Sequence, residues 1–136
     1  MAVRANCRAF MPKTTLVSVV EDDQYFRDSM RRLMRSLGYR VEAFSSAADF
    51  LAAPRHVETS CLICDVQMPG MSGIDLHRSL TDAGYAIPTI LVTAYPNDTD
   101  RARALSNGVV CYLSKPIDET LLIRCLRDAL GLERDS

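Results

Sequence analysis

The chain has 136 residues, 48% hydrophobic and 24% charged, proportions that suit one globular domain with a real core. A formal net charge of −1 excludes a global field that would draw it to nucleic acid or a membrane surface. No segment is apolar and long enough to span a bilayer, and residues 1–13 carry Arg4 and Arg8 but no signal-like apolar stretch, so the expected compartment is the cytoplasm.

Residues 1–13 lack periodicity and are expected to form a flexible arm, within which Met11 is an alternative start. Residues 16–20 are β-branched enough for a buried strand, closed by the acidic cluster Glu21-Asp22-Asp23. Phe26, Met30, Leu33, Met34 and Leu37 recur at helical spacing, with Asp23 as a candidate cap and Gly38 as the stop. Tyr39 to Phe44 alternates like a strand, and Ser45 or Ser46 caps a short helix through Ala52. Cys61 to Asp65 is the third strand, followed by a loop containing Pro69, Gly70 and Gly73. Ser72 caps a helix that carries Asp75 at its third position, Leu76 and Leu80 on one side, and Gly84 at its end. Pro88 to Thr93 is the fourth strand, and a helix opened by Asn97 or Asp98 runs to Asn107 and stops at Gly108. Val109 to Leu113 is the fifth strand. Asp118 to Leu130 is the last helix, with Leu122, Leu126, Ala129 and Leu130 on one stripe. Leu121, Leu122 and Ile123 are adjacent, so at least one of them is exposed and could meet a partner. Residues 132–136 form a short tail.

Strands and helices alternate, and the strands are nearly continuous apolar runs. That pattern indicates a parallel sheet covered on both faces, joined by right-handed crossovers. Ligands of such a sheet bind outside the carboxyl ends of its strands. Glu21, Asp22, Asp65, Thr93 and Lys115 all fall at those ends. Carboxylates, a hydroxyl and an ammonium in one crevice point to a divalent metal and a phosphoryl group. Mg²⁺ takes hard oxygen donors and keeps several waters, so one or two direct carboxylates suffice.

Other signals are weaker. The five cysteines read as reduced thiols used as small hydrophobes. Cys61 and Cys64 lie three apart on a strand and so point to opposite faces, which argues against a metal or redox pair. Arg27, Arg31, Arg32 and Arg35 read as a solvated face of the first helix, better suited to a protein partner than to DNA. His56, in a loop, and His77, on a helix, each lack a second ligand in pattern.

The stretches Val19-Val20-Glu21-Asp22-Asp23, Asp65-Val66-Gln67-Met68-Pro69-Gly70-Met71-Ser72-Gly73, Val92-Thr93-Ala94 and Lys115-Pro116 carry a resemblance. Over residues 14–131 the chain resembles the receiver domain of two-component response regulators, with a texture closest to FixJ-type receivers. The resemblance implies a doubly wound, flavodoxin-like α/β fold with five parallel strands in the order 2-1-3-4-5 and five helices. It implies that Asp65 accepts a phosphoryl group from a sensor histidine kinase or a histidine phosphotransfer protein. Asp22, Asp65 and the backbone carbonyl of Gln67 would bind Mg²⁺ directly, and Glu21 through a water. Thr93 would hydrogen-bond a phosphoryl oxygen, Lys115 would pair with the phosphoryl group, and Tyr112 would turn inward on phosphorylation. Lys115-Pro116 would be a cis peptide. The surface of the fourth helix, fifth strand and fifth helix would then switch and meet a downstream effector or a second copy of the chain.

On this reading the chain is not an enzyme for external substrates; it accepts a phosphoryl group and slowly releases it. Nucleic acid would be bound only by an effector domain outside this one, as in a FixJ-type transcription factor. Glu21 departs from the family, which more often has Asp there. Gln67 and Tyr95 fall where the family varies, and bulky Tyr95 is expected to shield the phosphoryl group. Three alternatives compete with this reading. A haloacid-dehalogenase-type phosphatase needs a second acid where this chain has Gln67. A flavodoxin-like cofactor binder needs a phosphate loop after the first strand that is missing here. A pseudo-receiver docking without phosphorylation keeps the same fold.

Overall fold

The computed structural model describes residues 15–132. The expected arm over residues 1–13, with Cys7 and Met11, and residues 133–136 of the expected tail lie outside the described residues. Five strands alternate with five helices: β1 Leu16–Val20, α1 Gln24–Ser36, β2 Arg40–Phe44, α2 Ala47–Ala52, β3 Cys61–Asp65, α3 Gly73–Asp82, β4 Thr89–Thr93, α4 Asp98–Ser106, β5 Cys111–Ser114 and α5 Glu119–Ala129. A 3₁₀ turn at His56–Glu58 occupies what the sequence shows as loop. All strand pairs are parallel and the sheet order is β2-β1-β3-β4-β5. The chain leaves β1 outward to β2 and then returns to β3 on the other side. The switch point therefore lies between the carboxyl ends of β1 and β3. Among the described residues no helix is long and apolar enough to cross a membrane.

Burial explains the sequence texture. The central strands β1, β3 and β4 are buried at every position, whereas β2, at one edge, is half-buried to exposed. Continuous apolar runs belong to the first kind and the alternation of Tyr39 to Phe44 to the second. Side-chain alternation divides the core into two layers. Val17, Val19, Ile63, Ile90 and Val92 meet Met30 and Met34 of α1 and Leu122 and Leu126 of α5. Val20, Leu62, Cys64 and Leu91 meet Phe50 of α2, Leu76 and Leu80 of α3, and Ala104 of α4. Leu122 is fully buried while Leu121 next to it is exposed.

Each helix opens on an oxygen that accepts a backbone N–H of its first turn. Asp23, Ser46, Ser72, Asn97 and Asp118 fill this role, which decides the sequence alternatives in favour of Ser46 and Asn97. The Ser72 cap makes Gly73, also expected in the preceding loop, the first residue of α3. The start of the fifth strand shifts by two residues. β5 begins at Cys111, not Val109, because the Val109 N–H closes the end of α4 on the Ala104 carbonyl at 3.1 Å. Val109 is apolar because it is buried in that turn (5% exposed), not because it pairs in the sheet.

The expectation of uniformly reduced thiols is corrected. Cys61 and Cys64 are free, buried and in opposite core layers, as their spacing requires. Burial pushes the Cys61 thiol up to about 12, so it is no nucleophile at neutral pH. Cys111 and Cys125, by contrast, form a disulfide from β5 to α5, with Cα atoms 6.4 Å apart. Their separation of 14 residues gave no sign of this, because only the return of α5 onto the sheet brings them together. Closing a loop of that length contributes up to about 3 kcal/mol. A thiol reductant is therefore expected to lower Tm by roughly 10 °C. Cys125→Ser should melt like the reduced protein with or without reductant; coincident melts of oxidised and reduced wild type would contradict the pairing.

His77 sits on α3 with 8% of its surface exposed, and burial lowers its pKa below the ordinary 6.5. The folded protein thus binds fewer protons there than the unfolded chain. Stability from this residue is complete above 6.5 and is lost as pH falls below it. Urea melts across that range should show the slope in wild type and a flatter one in His77→Leu. Equal slopes would sink this assignment.

Candidate functional site

The residues singled out at strand ends do converge at the carboxyl edge. The Glu21 N–H extends the β1–β2 ladder by donating to the Phe44 carbonyl at 2.9 Å. Glu21 is 1% exposed, Asp65 at the end of β3 is 5% exposed, and Asp22 beside Glu21 is open to solvent. Thr93 ends β4 and is fully buried. Lys115 follows β5, its N–H bound to the Thr93 carbonyl at 2.8 Å, and the Lys115–Pro116 peptide is cis. Register thus carries the ammonium next to the acids: β3 pairs with β4, and β4 with β5.

Lys115 Nζ donates to Glu21 Oε1 at 2.8 Å and lies 3.5 Å from Asp65 Oδ2. The Phe26 ring centroid is 4.2 Å from the same nitrogen, a cation–π contact. Asp65 Oδ1 accepts the Gln67 N–H at 3.2 Å, and Glu21 Oε2 accepts the Asp23 N–H at 3.0 Å. Burial, reinforced by the Asp65 charge, pushes the Glu21 carboxyl up to about 7, although Lys115 and the Asp23 N–H pull it back. For Lys115 burial works against the charge, but the hydrogen bond to Glu21 and the two carboxylates outweigh it and raise its pKa.

Glu21, Asp22 and Asp65 each present a carboxylate oxygen, and these oxygens all lie within 4.8 Å of one another. Such a set of hard oxygen donors, with one carboxylate open to water, fits Mg²⁺ better than a soft metal. Gln67 stands at the rim. Its side-chain oxygen accepts the Thr93 hydroxyl proton at 2.6 Å, and the same hydroxyl accepts the Tyr95 N–H at 3.0 Å. Tyr95 itself is 73% exposed, so its ring lies largely in solvent and its backbone is what reaches Thr93.

Tyr112, on β5, contacts the start of α4. It is 3% exposed, its hydroxyl accepts the N–H of Asn97 at the start of α4 at 3.3 Å, and Arg101 covers its ring at 5.0 Å. Two supporting residues are not marked as such in the sequence. Phe26 shows only as a member of a helical apolar stripe, with no signal that its ring supports Lys115. Arg27, expected on a solvated face, donates to the Glu21 carbonyl at 2.7 Å and the Asp22 carbonyl at 3.4 Å, fixing the acidic turn from α1. Arg31 keeps the expected exposed character, paired with Asp28 at 3.7 Å.

Comparison with known proteins agrees with this geometry. A family model described as the response regulator receiver domain matches residues 17–127. The response regulator protein TmoT of Ectopseudomonas mendocina is 36% identical over 118 residues, covering 87% of this chain and 54% of that protein. The solved structure of the response regulator StyR has a TM-score of 0.80 at 38% identity, covering 87% of this chain and 60% of that one. The FixJ-N crystal structure has a TM-score of 0.78 at 30% identity, covering 90% of this chain and 98% of that one. The chain spans about half the length of the curated relatives it matches.

Proposed function

The chain belongs to the response regulator receiver domain family, and from that premise we propose that Asp65 accepts a phosphoryl group from a phosphohistidine. The observation that carries this reading is the setting of the Asp65 carboxylate. One oxygen is held by a backbone N–H, the other faces the Lys115 ammonium, and two more carboxylates stand within metal-sharing distance. An Asp65 oxygen attacks phosphorus, a P–O bond forms, and the N–P bond to the donor imidazole breaks. The imidazole keeps the electron pair and takes a proton. Lys115 pairs with the transferred group from one side, and Thr93 donates its proton to a phosphoryl oxygen.

Glu21, Asp22, Asp65 and the Gln67 carbonyl would hold Mg²⁺, which supplies charge neutralisation for the transferring group. Asp65 and Thr93 lie at the ends of adjacent strands, so rearrangement at Thr93 is felt at Tyr95 and then at Asn97 and Tyr112. On this reading the message leaves by the α4-β5-α5 surface, toward an effector domain, a partner protein or a second copy of the chain. The proposed donor is a sensor histidine kinase or a phosphotransfer protein, and the proposed compartment is the cytoplasm. Release of the phosphoryl group is slow self-hydrolysis without turnover of an external substrate. A phosphatase of the dehalogenase type is disfavoured, because Gln67 offers no acid to a leaving group.

Incubation with acetyl phosphate, with and without Mg²⁺, followed by intact mass tests the proposal. Wild type is expected to gain one phosphoryl group only with Mg²⁺, and Asp65→Asn none. No gain in wild type under either condition would overturn it in favour of docking without phosphorylation.

A further inference from the structure

Thr93 carries a single hydroxyl proton, and in the structure that proton is already taken. The fully buried hydroxyl donates to Gln67 Oε1 at 2.6 Å while accepting the Tyr95 N–H at 3.0 Å. The two side chains lie 26 residues apart in sequence, at the ends of neighbouring strands. Gln67 also donates its backbone N–H to Asp65 Oδ1. One residue therefore touches both the proposed phosphoryl acceptor and the proposed phosphoryl-sensing hydroxyl.

We propose that the Gln67 side-chain carbonyl is a latch on Thr93, competing with the phosphoryl oxygen for its one proton. The inference rests on the phosphoryl reading above and deepens it. A hydroxyl cannot donate to two acceptors at full strength, so Thr93 must leave Gln67 before it can bind the phosphoryl group. Gln67 is exposed, so its freed carbonyl is met by water and the exchange is cheap. The latch then shifts the balance by the net value of one neutral hydrogen bond, a factor of roughly three to ten in affinity for the phosphoryl group. A ligand shifts such a balance only through contacts that differ between the two arrangements, and this hydrogen bond is one of them.

Gln67→Met isolates the effect, because methionine keeps the length of the arm and the backbone N–H and carbonyl but removes the acceptor oxygen. Binding of beryllofluoride, an acyl-phosphate mimic, can be followed by ¹⁹F NMR with Mg²⁺ in wild type, Gln67→Met, Thr93→Val and the double variant. The expected result is affinity about three- to tenfold tighter in Gln67→Met than in wild type, and no difference between Thr93→Val and the double variant. Equal affinity in wild type and Gln67→Met removes the latch. Equal tightening by Gln67→Met with and without Thr93→Val also removes it, since the effect would then not pass through the hydroxyl. No binding in any variant would remove the phosphoryl reading and the latch with it.

Discussion

Gly73→Ala is expected to destabilise the protein by about 2 kcal/mol and to disable the site, although alanine is the better helix former by about 1 kcal/mol. A Cβ at this position would run into the Asp65 carbonyl oxygen, with the carbonyl carbon at 3.0 Å and Leu91 Cδ2 at 3.1 Å. The oxygen cannot retreat easily. β3 is paired with β1 on one side and β4 on the other, and the N–H of the next residue, Val66, binds the Val92 carbonyl at 2.8 Å. The Gly73 N–H in turn binds the Val66 carbonyl at 3.1 Å, so α3 starts directly against the backbone that carries Asp65. Relief must come by moving either α3 or Asp65. Urea melts and acetyl phosphate uptake should both show the damage; wild-type values in both would contradict it.

Lys115→Met is expected to slow phosphoryl uptake about 10²-fold, the usual loss when a charge partner of a transferring group is removed. It should also cost about 2 kcal/mol in metal-free buffer, less than for a fully buried pair, because Lys115 is 18% exposed and Glu21 can keep a proton. The Glu21 carboxylate would otherwise face Asp65 without its ammonium partner, and its pKa, already near 7, should climb. Adding Glu21→Gln should restore most of the stability and none of the phosphoryl uptake. Recovery of both by the double variant would mean that Lys115 serves only to neutralise Glu21. Lys115→Arg is not a conservative test, since a planar fork replaces a compact charge over the Phe26 ring.

The fold was legible because its signals were local and agreed with one another. Buried strands wrote themselves as apolar runs, edge strand β2 as alternation, and helix starts as Ser, Asp or Asn before a periodic stripe. The grouping of the candidate site is legible because a parallel sheet gathers strand ends, which puts Glu21, Asp22, Asp65, Thr93 and Lys115 together from sequence alone. What stayed hidden depends on tertiary return. The Cys111–Cys125 pairing needs α5 laid back on β5. The support of Lys115 by Phe26 needs α1 set against the turn after β5. The Gln67–Thr93 hydrogen bond needs the direction of one long side chain. Arg27 misleads for a related reason: a cation on a helix surface reads as solvated until the carbonyls it can reach are in place.

On the proposed function, a phosphoryl group becomes an acyl phosphate on Asp65. Borohydride reduction of the phosphorylated protein, followed by peptide mass mapping, reads this directly, because hydride converts an aspartyl phosphate to homoserine. Homoserine is expected at position 65, dependent on prior phosphorylation and on Mg²⁺. Homoserine at another aspartate, or a phosphoryl group that borohydride leaves untouched, would contradict it.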